Sequence, residues 1–350
     1  MSVLIGAELN AFAAQNLEAA IADDELVTID GGTFMMGSGP GGVDEKQVHE
    51  ATISTFQMCK DDVTNEKYEQ YLESLGDTRF ALIGAHPDTG VERVLAIGSN
   101  KQEVRSAADT MPVSQFFPGA GDILMVGGMS TLRDVEIGDH RSAADFDHPR
   151  QPVVFVSWYE AFIYAFLHGG MLPTEWQWEY AARVIHEAKK PHGVALGHIY
   201  QGKELREYAT ASSNLRWNEA NYSTSRTSIV GSYPRLPNGL SDMCGNACQW
   251  MQNWFGPYPV VAVTDPPGLR TGKKKCMRGG SFNDDRLSFL RAAHRLNYGL
   301  PDKRRCYIGF RWVVRNRPYF TAFPSAGISP CPPLRRNPDK TAGRRSDALP

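Results

Sequence analysis

Glycine and proline are spread along the whole chain, 33 of one and 22 of the other. Glycine takes positive φ without cost, and proline stops helices and strand ladders. A chain punctuated this way folds through many turns and irregular loops rather than long helices. The longest apolar stretches, such as Pro152 to Val156 and Ala161 to Leu167, fall far short of the roughly 20 residues that span a membrane. A formal net charge of -2 leaves no electrostatic footprint for nucleic acid or an anionic membrane, so neither is expected as a partner. The start, MSVLIGAELNAFAAQ, has no basic leader region and no cleavage site. Six cysteines (59, 244, 248, 276, 306 and 331) are too few and too scattered for a disulfide framework. A reducing cytoplasm, or a particle assembled there, is the expected setting.

Ile5, Leu9, Phe12, Ala13, Leu17 and Ile21 follow helical spacing, which predicts an N-terminal helix within 1–24, packed on the main domain. From Glu25 the pattern changes. VTIDGGTFMMGS reads as strand, Gly-Gly turn, strand, and ATISTFQMCKDDVT as another strand. NEKYEQYLESL follows as a helix with Thr64 as N-cap and Lys67 on its exposed face. Residues 75–150 show no sustained period and read as an elaborated loop insertion with short elements in TRFALI and DILMV. QPVVFVSWYEAFIYAFLHGG reads as a buried strand running into a helix. In MLPTEWQWEYAARVIHEA, Pro173 and Thr174 open a further helix whose tryptophans face a core. Residues 316–350 are rich in Pro, Ser, Arg and Gly and read as a basic surface tail.

Several blocks occur in a telling order: IDGGTFMMGS, VTNEKYEQYL, the stretch from QPVVFVSW to EYAAR, NGLSDMCGNACQW, MRGGSFND and IGFRWV. Together they resemble the formylglycine-generating-enzyme (sulfatase-modifying factor) superfamily over residues 27–315. The resemblance implies an α+β, C-type-lectin-like fold with much irregular structure, in one domain over 25–315. The founding enzymes oxidise a target cysteine with copper held by two cysteines shortly after the Gly-Gly-Ser turn, since Cu(I) prefers thiolate sulfur. Here FNDDRLSFLRAAHR follows Gly279-Gly280-Ser281 and holds no cysteine; Cys306 stands alone and Cys276 precedes the turn. No catalytic residue is therefore assigned, and no cofactor is required.

Relatives that use non-haem iron need a cluster such as His-x-Asp with a distant histidine. The sequence offers His86-Pro87-Asp88, in a Gly/Pro loop that reads better as a surface turn, and lone histidines at 49, 168 and 294. The family's calcium positions map to Asn221, Asn246 and Gln249. An amide stands at 249 where an acid is usual, so calcium is possible but weak. Cys244 and Cys248 read as a buried free pair.

Residues 278–311 also resemble the variable region of diversity-generating-retroelement proteins that use this fold. RGGSFN, LRAA, Arg295, Pro301-Asp302, Arg304 and IGFR form the frame. The positions that would vary are Asp284, Asp285, Leu287, Phe289, His294, Leu296, Asn297, Tyr298, Gly299, Arg305, Cys306 and Tyr307, with Phe282 beside them on the ligand surface. Adenine mutagenesis of asparagine codons cannot reach Lys, Glu, Gln, Met or Trp, and none of these occupies the twelve positions. Tyr and Phe offer rigid contact area and Asp, Asn and His adaptable hydrogen bonds, which suits recognition of a protein or other macromolecule. Arg291, Arg295, Arg304 and Arg311 are expected to serve the scaffold through hydrogen bonds to loop carbonyls. The expected function is a non-catalytic ligand-binding protein, cytoplasmic or phage-particle-associated. The alternative is a formylglycine-generating or non-haem-iron oxidoreductase.

Overall fold

The computed structural model describes residues 4–5, 7–22, 25–39, 41–76, 80–85, 92–99, 123–126, 145–183, 220–269 and 271–315. It opens with β1 (Leu4–Ile5) and α1 (Ala7–Ala22). Leu9 and Ala13, one turn apart, are buried, and Asn16 Nδ2 donates to the carbonyl of Leu167, so the helix lies on the main body as its spacing implied. Ile5 does not belong to it; it pairs with Ala96 in a strand ladder.

β2 (Leu26–Ile29) and β3 (Gly32–Met36) flank the Gly-Gly corner. A Cβ on Gly31 would lie 2.6 Å from the carbonyl oxygen of Ile53, so only glycine lets the chain cross there. The corner sends the two strands into different sheets. The stretch read as one strand after it is two, β4 (His49–Ile53), paired with β3, and β5 (Phe56–Cys59), paired with β2. α2 (Asn65–Leu75) starts where Thr64 Oγ1 accepts the amide of Lys67, and it buries Tyr68, Tyr71, Leu72 and Leu75 on one face. The insertion contributes β6 (Phe80–Ala85), β7 (Glu92–Gly98) and β8 (Ile123–Val126), in a sheet of order β1-β7-β6-β8. Two of these lie in the segments read from sequence; β7 was not anticipated.

Residues 151–156 are buried, as expected, but they are not a strand. Phe155 has φ 59°, which breaks the extended run, and the segment's amides go singly to Val63 and Arg305 carbonyls. α3 (Trp158–Leu167) begins with a capping box between Ser157 and Glu160. α4 (Glu175–Arg183) begins with the same reciprocity between Thr174 and Gln177. The remaining strands are β9 (Cys248–Trp254), β10 (Val263–Thr264), β11 (Lys275–Arg278), β12 (Leu296–Gly299), β13 (Ile308–Gly309) and β14 (Val313–Arg315). They complete three further sheets, β10-β4-β3, β12-β11-β9-β13 and β14-β5-β2.

The fold is α+β, built from short elements around an aromatic core. Trp158, Trp250 and Trp312 gather under α2 and α3; Trp178, Tyr180, Phe34 and Phe56 gather under α4. Among the described residues no helix is long and apolar enough to cross a membrane.

Candidate functional site

The site starts where β11 ends. Gly279 and Gly280 take φ 96° and 68°, and a Cβ on Gly280 would approach the Phe289 carbonyl oxygen to 2.9 Å. The turn delivers residues 281–284 against two other loops: Phe282 N–H donates to Asn246, and the amides of Thr224 and Ser223 donate to Phe282 and Asp284. Asp284 Oδ2 closes the turn, accepting Ser281 N–H at 2.7 Å and its hydroxyl at 3.0 Å. Burial outweighs those bonds and raises the Asp284 carboxyl. Beyond it lie a 3-10 turn, Leu287–Leu290, and then β12.

Beneath this loop runs a frame of arginines. Arg278, fully buried, donates to Glu175 and Glu179 at 3.0 Å each, to the Ala292 carbonyl and to the Tyr258 hydroxyl. Arg295 grips both oxygens of Glu175 at 2.9 and 2.7 Å, donates to the carbonyls of Asp44 and Gly256, and lies over the Tyr258 ring. Burial alone would raise the Glu175 carboxyl, but the two guanidiniums, Arg295 foremost, bring it down to about 2. Arg291 holds Glu45 with two bonds of 2.8 and 2.7 Å, and His294 Nδ1 lies 3.3 Å from the same carboxylate. Those contacts overcome burial and hold Glu45 at about 2. Arg304 binds Glu160 through two 2.9 Å bonds, which ties the loop's far end to the α3 cap. Arg311 donates to Asp62, to Gln249 and to the carbonyls of Cys59 and Ser241. Arg291, Arg295 and Arg311 bond loop carbonyls as expected, and carboxylates as well, while the bonds of Arg304 go to the Glu160 carboxylate.

The thirteen ligand-surface residues divide by exposure. Asp285 and Arg305 are exposed; Asp284, Leu287, Phe289, His294 and Tyr307 are half-buried. Asn297 and Tyr298 lie on β12, their side chains outside the described residues. Phe282, Leu296, Gly299 and Cys306 are buried and correct the expectation that they face a ligand. Phe282 packs on Phe146 at 5.7 Å and closes the cluster that holds Cys306. Leu296 points into the main core, and a Cβ on Gly299 would meet Trp250 at 2.4 Å. The structure adds Asn283, Arg286, Ser288, Leu300, Asp302 and Lys303 to the exposed set. Arg286 lies over Phe289, and Phe289 stacks on His294 with centroids 5.1 Å apart. Sequence reading missed Glu45, the carboxylate that fixes this stack; its one signal was the acid pair Asp44-Glu45 in the Gly-rich segment 37–48.

Among the described residues, potential metal ligands are engaged in other contacts. Asn221 and Asn246 come together, Asn221 Nδ2 donating to Asn246 Oδ1 at 3.2 Å. The Asn246 oxygen also accepts Ser228 N–H and the Asn221 oxygen accepts the Thr224 hydroxyl. Gln249 belongs to another network: its oxygen accepts Trp178 Nε1 and the Arg311 guanidinium, whose charge repels a cation. These three residues do not fit calcium. The described thiols on either side of the turn do not fit copper either. Cys276 lies in the α4 core, pushed far above the usual thiol range by burial, while Cys306 lies in the Phe282 cluster. Cys248 is buried and Cys244 half-buried, both unbridged. His49 accepts the Trp176 indole N–H, and His168 stacks on Tyr164, so both are structural. His86-Pro87-Asp88 lies outside the described residues. Among the described residues no group of three or more His, Cys, Asp or Glu could hold a metal ion.

Comparison with known proteins decides the family. The model of the sulfatase-modifying factor enzyme 1-like domain matches residues 13–316. The chain belongs to this family. Formylglycine-generating enzyme of Streptomyces coelicolor is 29% identical over 81% of this chain and 87% of its own length. Serine/threonine-protein kinase pkn1 of Chlamydia pneumoniae is 31% identical over 77% of this chain, but over only 35% of its own length, so the chain spans about a third of that relative. Among solved structures, Treponema denticola variable protein 1 aligns with a TM-score of 0.49 and 16% identity, covering 83% of this chain and 94% of that one.

Proposed function

We propose that this family member is a binding module that recognises a protein, or another macromolecule, through the exposed part of residues 282–307, without chemistry of its own and without a required cofactor. The observation that supports the reading most is the division within one loop. Arginine–carboxylate pairs fix its base, while Asp285, Arg286 and Arg305 are exposed and Leu287, Phe289, His294 and Tyr307 are half-buried, with no acid–base or nucleophilic pattern among them. Such a division lets the outer side chains change while the fold persists, which is what a diversified recognition surface needs. Cysteine oxidation is disfavoured because residues 281–305 hold no cysteine and the thiols of Cys276 and Cys306 are separately buried. The named relatives do include formylglycine-generating enzymes, so oxidation is the reading to exclude. Purified chain, loaded with Cu(I) and given oxygen and a cysteine-containing peptide, is expected to form no aldehyde; turnover would overturn the proposal.

A further inference from the structure

Among the described residues, six of the seven exposed large apolar side chains fall on two segments. Met35, Val43 and Val48 lie on the β3–β4 hairpin and Val260, Val261 and Leu269 on the segment around β10. Leu300, beside β12, is the one other large hydrophobic exposed among the described residues. The two segments adjoin. β10 runs parallel to β4 with Val263 opposite Ala51 and Thr264 opposite Thr52, so Val260 and Val261, just before β10, lie in the segment that leads onto the β4 edge. The rings of Tyr258 and His49 are 5.1 Å apart, and Arg295 bonds the carbonyls of Asp44 and Gly256 with the same nitrogen. Val43, Val260 and Val261 are 87%, 80% and 63% exposed. Together with their neighbours they display on the order of 600 Å² of mostly aliphatic surface, the upper end of what a monomer leaves in water.

We infer that this face is an interface between two copies of the chain, related by a two-fold axis. Its area approaches the roughly 800 Å² that each partner contributes to a stable complex. Isologous contact demands self-complementarity, which an aliphatic patch meets. The charges within it also complement themselves: Asp44 and Lys46, opposite in sign and two residues apart, form no ion pair with the described residues. Across a two-fold axis each Asp44 can face the partner's Lys46. Because Glu45 and Gly256 also hold Arg291 and Arg295, the pairing sets two 282–307 loops beside one axis, a bivalent display that gains avidity. The inference stands whether or not those loops bind a ligand.

Sedimentation of the full chain over a wide concentration range tests it. The chain is expected to dimerise reversibly, and Val43→Asp combined with Val260→Asp to weaken the dimer by more than about tenfold. Thermal midpoints should be unchanged at dilutions where both forms are monomeric, since both side chains are exposed; Val261→Asp alone replaces the pair if the pair fails to fold. Lys46→Asp should weaken association, and adding Asp44→Lys should restore it. A dimer indifferent to the valine changes overturns the inference. So does a monomer at every concentration: with a hydrophobic dye bound to the patch it points to a foreign partner, and with no dye bound, to a segment of this chain covering it.

Discussion

Replacing Glu175 by glutamine removes the carboxylate that accepts three bonds from two buried guanidiniums, Arg278 Nε at 3.0 Å and Arg295 at 2.9 and 2.7 Å. Two lines of reasoning give the cost. The carboxyl falls from an ordinary 4.5 to about 2 on folding. A drop of that size corresponds to about 3 kcal/mol at neutral pH. Removing one partner from a buried ion pair costs roughly 3–5 kcal/mol, because the remaining charge is left uncompensated. At roughly 2–4 °C per kcal/mol, the melting temperature should fall by about 10 °C. The sign with pH follows from the lowered value. The stabilisation is complete above the unfolded value of 4.5 and is lost as pH falls through about 2. Thermal unfolding followed by circular dichroism should therefore find a gap between wild type and Glu175→Gln that is widest at neutral pH and shrinks below about 4.5. A gap below about 2 °C at neutral pH, or one that stays constant on acidification, would refute the frame described above.

Three further outcomes follow from the same loop. Phe282→Ala should cost about 3–5 kcal/mol in urea unfolding because it empties a buried site, whereas Asp285→Ala and Arg305→Ala should stay within about 0.5 kcal/mol. Gly280→Ala should lose more than about 1 kcal/mol in the same assay, since φ is 68° and the Phe289 carbonyl blocks the new methyl. Glu45→Gln frees Arg291 and His294, so amide hydrogen exchange over residues 286–296 should quicken while the exchange of α3 stays unchanged.

Local physics made part of this legible. The caps at Thr64 and Thr174 are sequence-local hydrogen bonds, and both helices begin where those residues placed them. The scaffold role of Arg291, Arg295 and Arg311 was readable because a fold short of ladders must satisfy its loop carbonyls otherwise. The carboxylate partners of the arginines were not readable: Glu45 lies 246 residues from Arg291 and Glu160 lies 144 from Arg304, with no periodicity linking them. Nor does a loop carry a period that separates inward from outward side chains. Phe282, Leu296 and Cys306 therefore looked like display positions, although each fills a gap under the loop. Strand β7 hid in an insertion without a repeat, and the 151–156 segment looked like a strand until the positive φ of Phe155 broke it. Gln249 stood at a calcium position in the resemblance; its amide is instead the bridge between Trp178 and Arg311.

A diversified recognition surface on 282–307 requires that its outer side chains change freely on a fixed frame. Sequencing this gene, with its flanking DNA, from many members of the source population tests that most directly. Substitutions should concentrate at Asp285, Leu287, Phe289, His294, Asn297, Tyr298, Arg305 and Tyr307. Phe282, Arg278, Glu175, Arg295 and Arg311 should stay fixed, and a near-identical adenine-rich template should lie near a reverse transcriptase. An invariant loop with no template nearby would rule out a diversified surface and leave an ordinary family member.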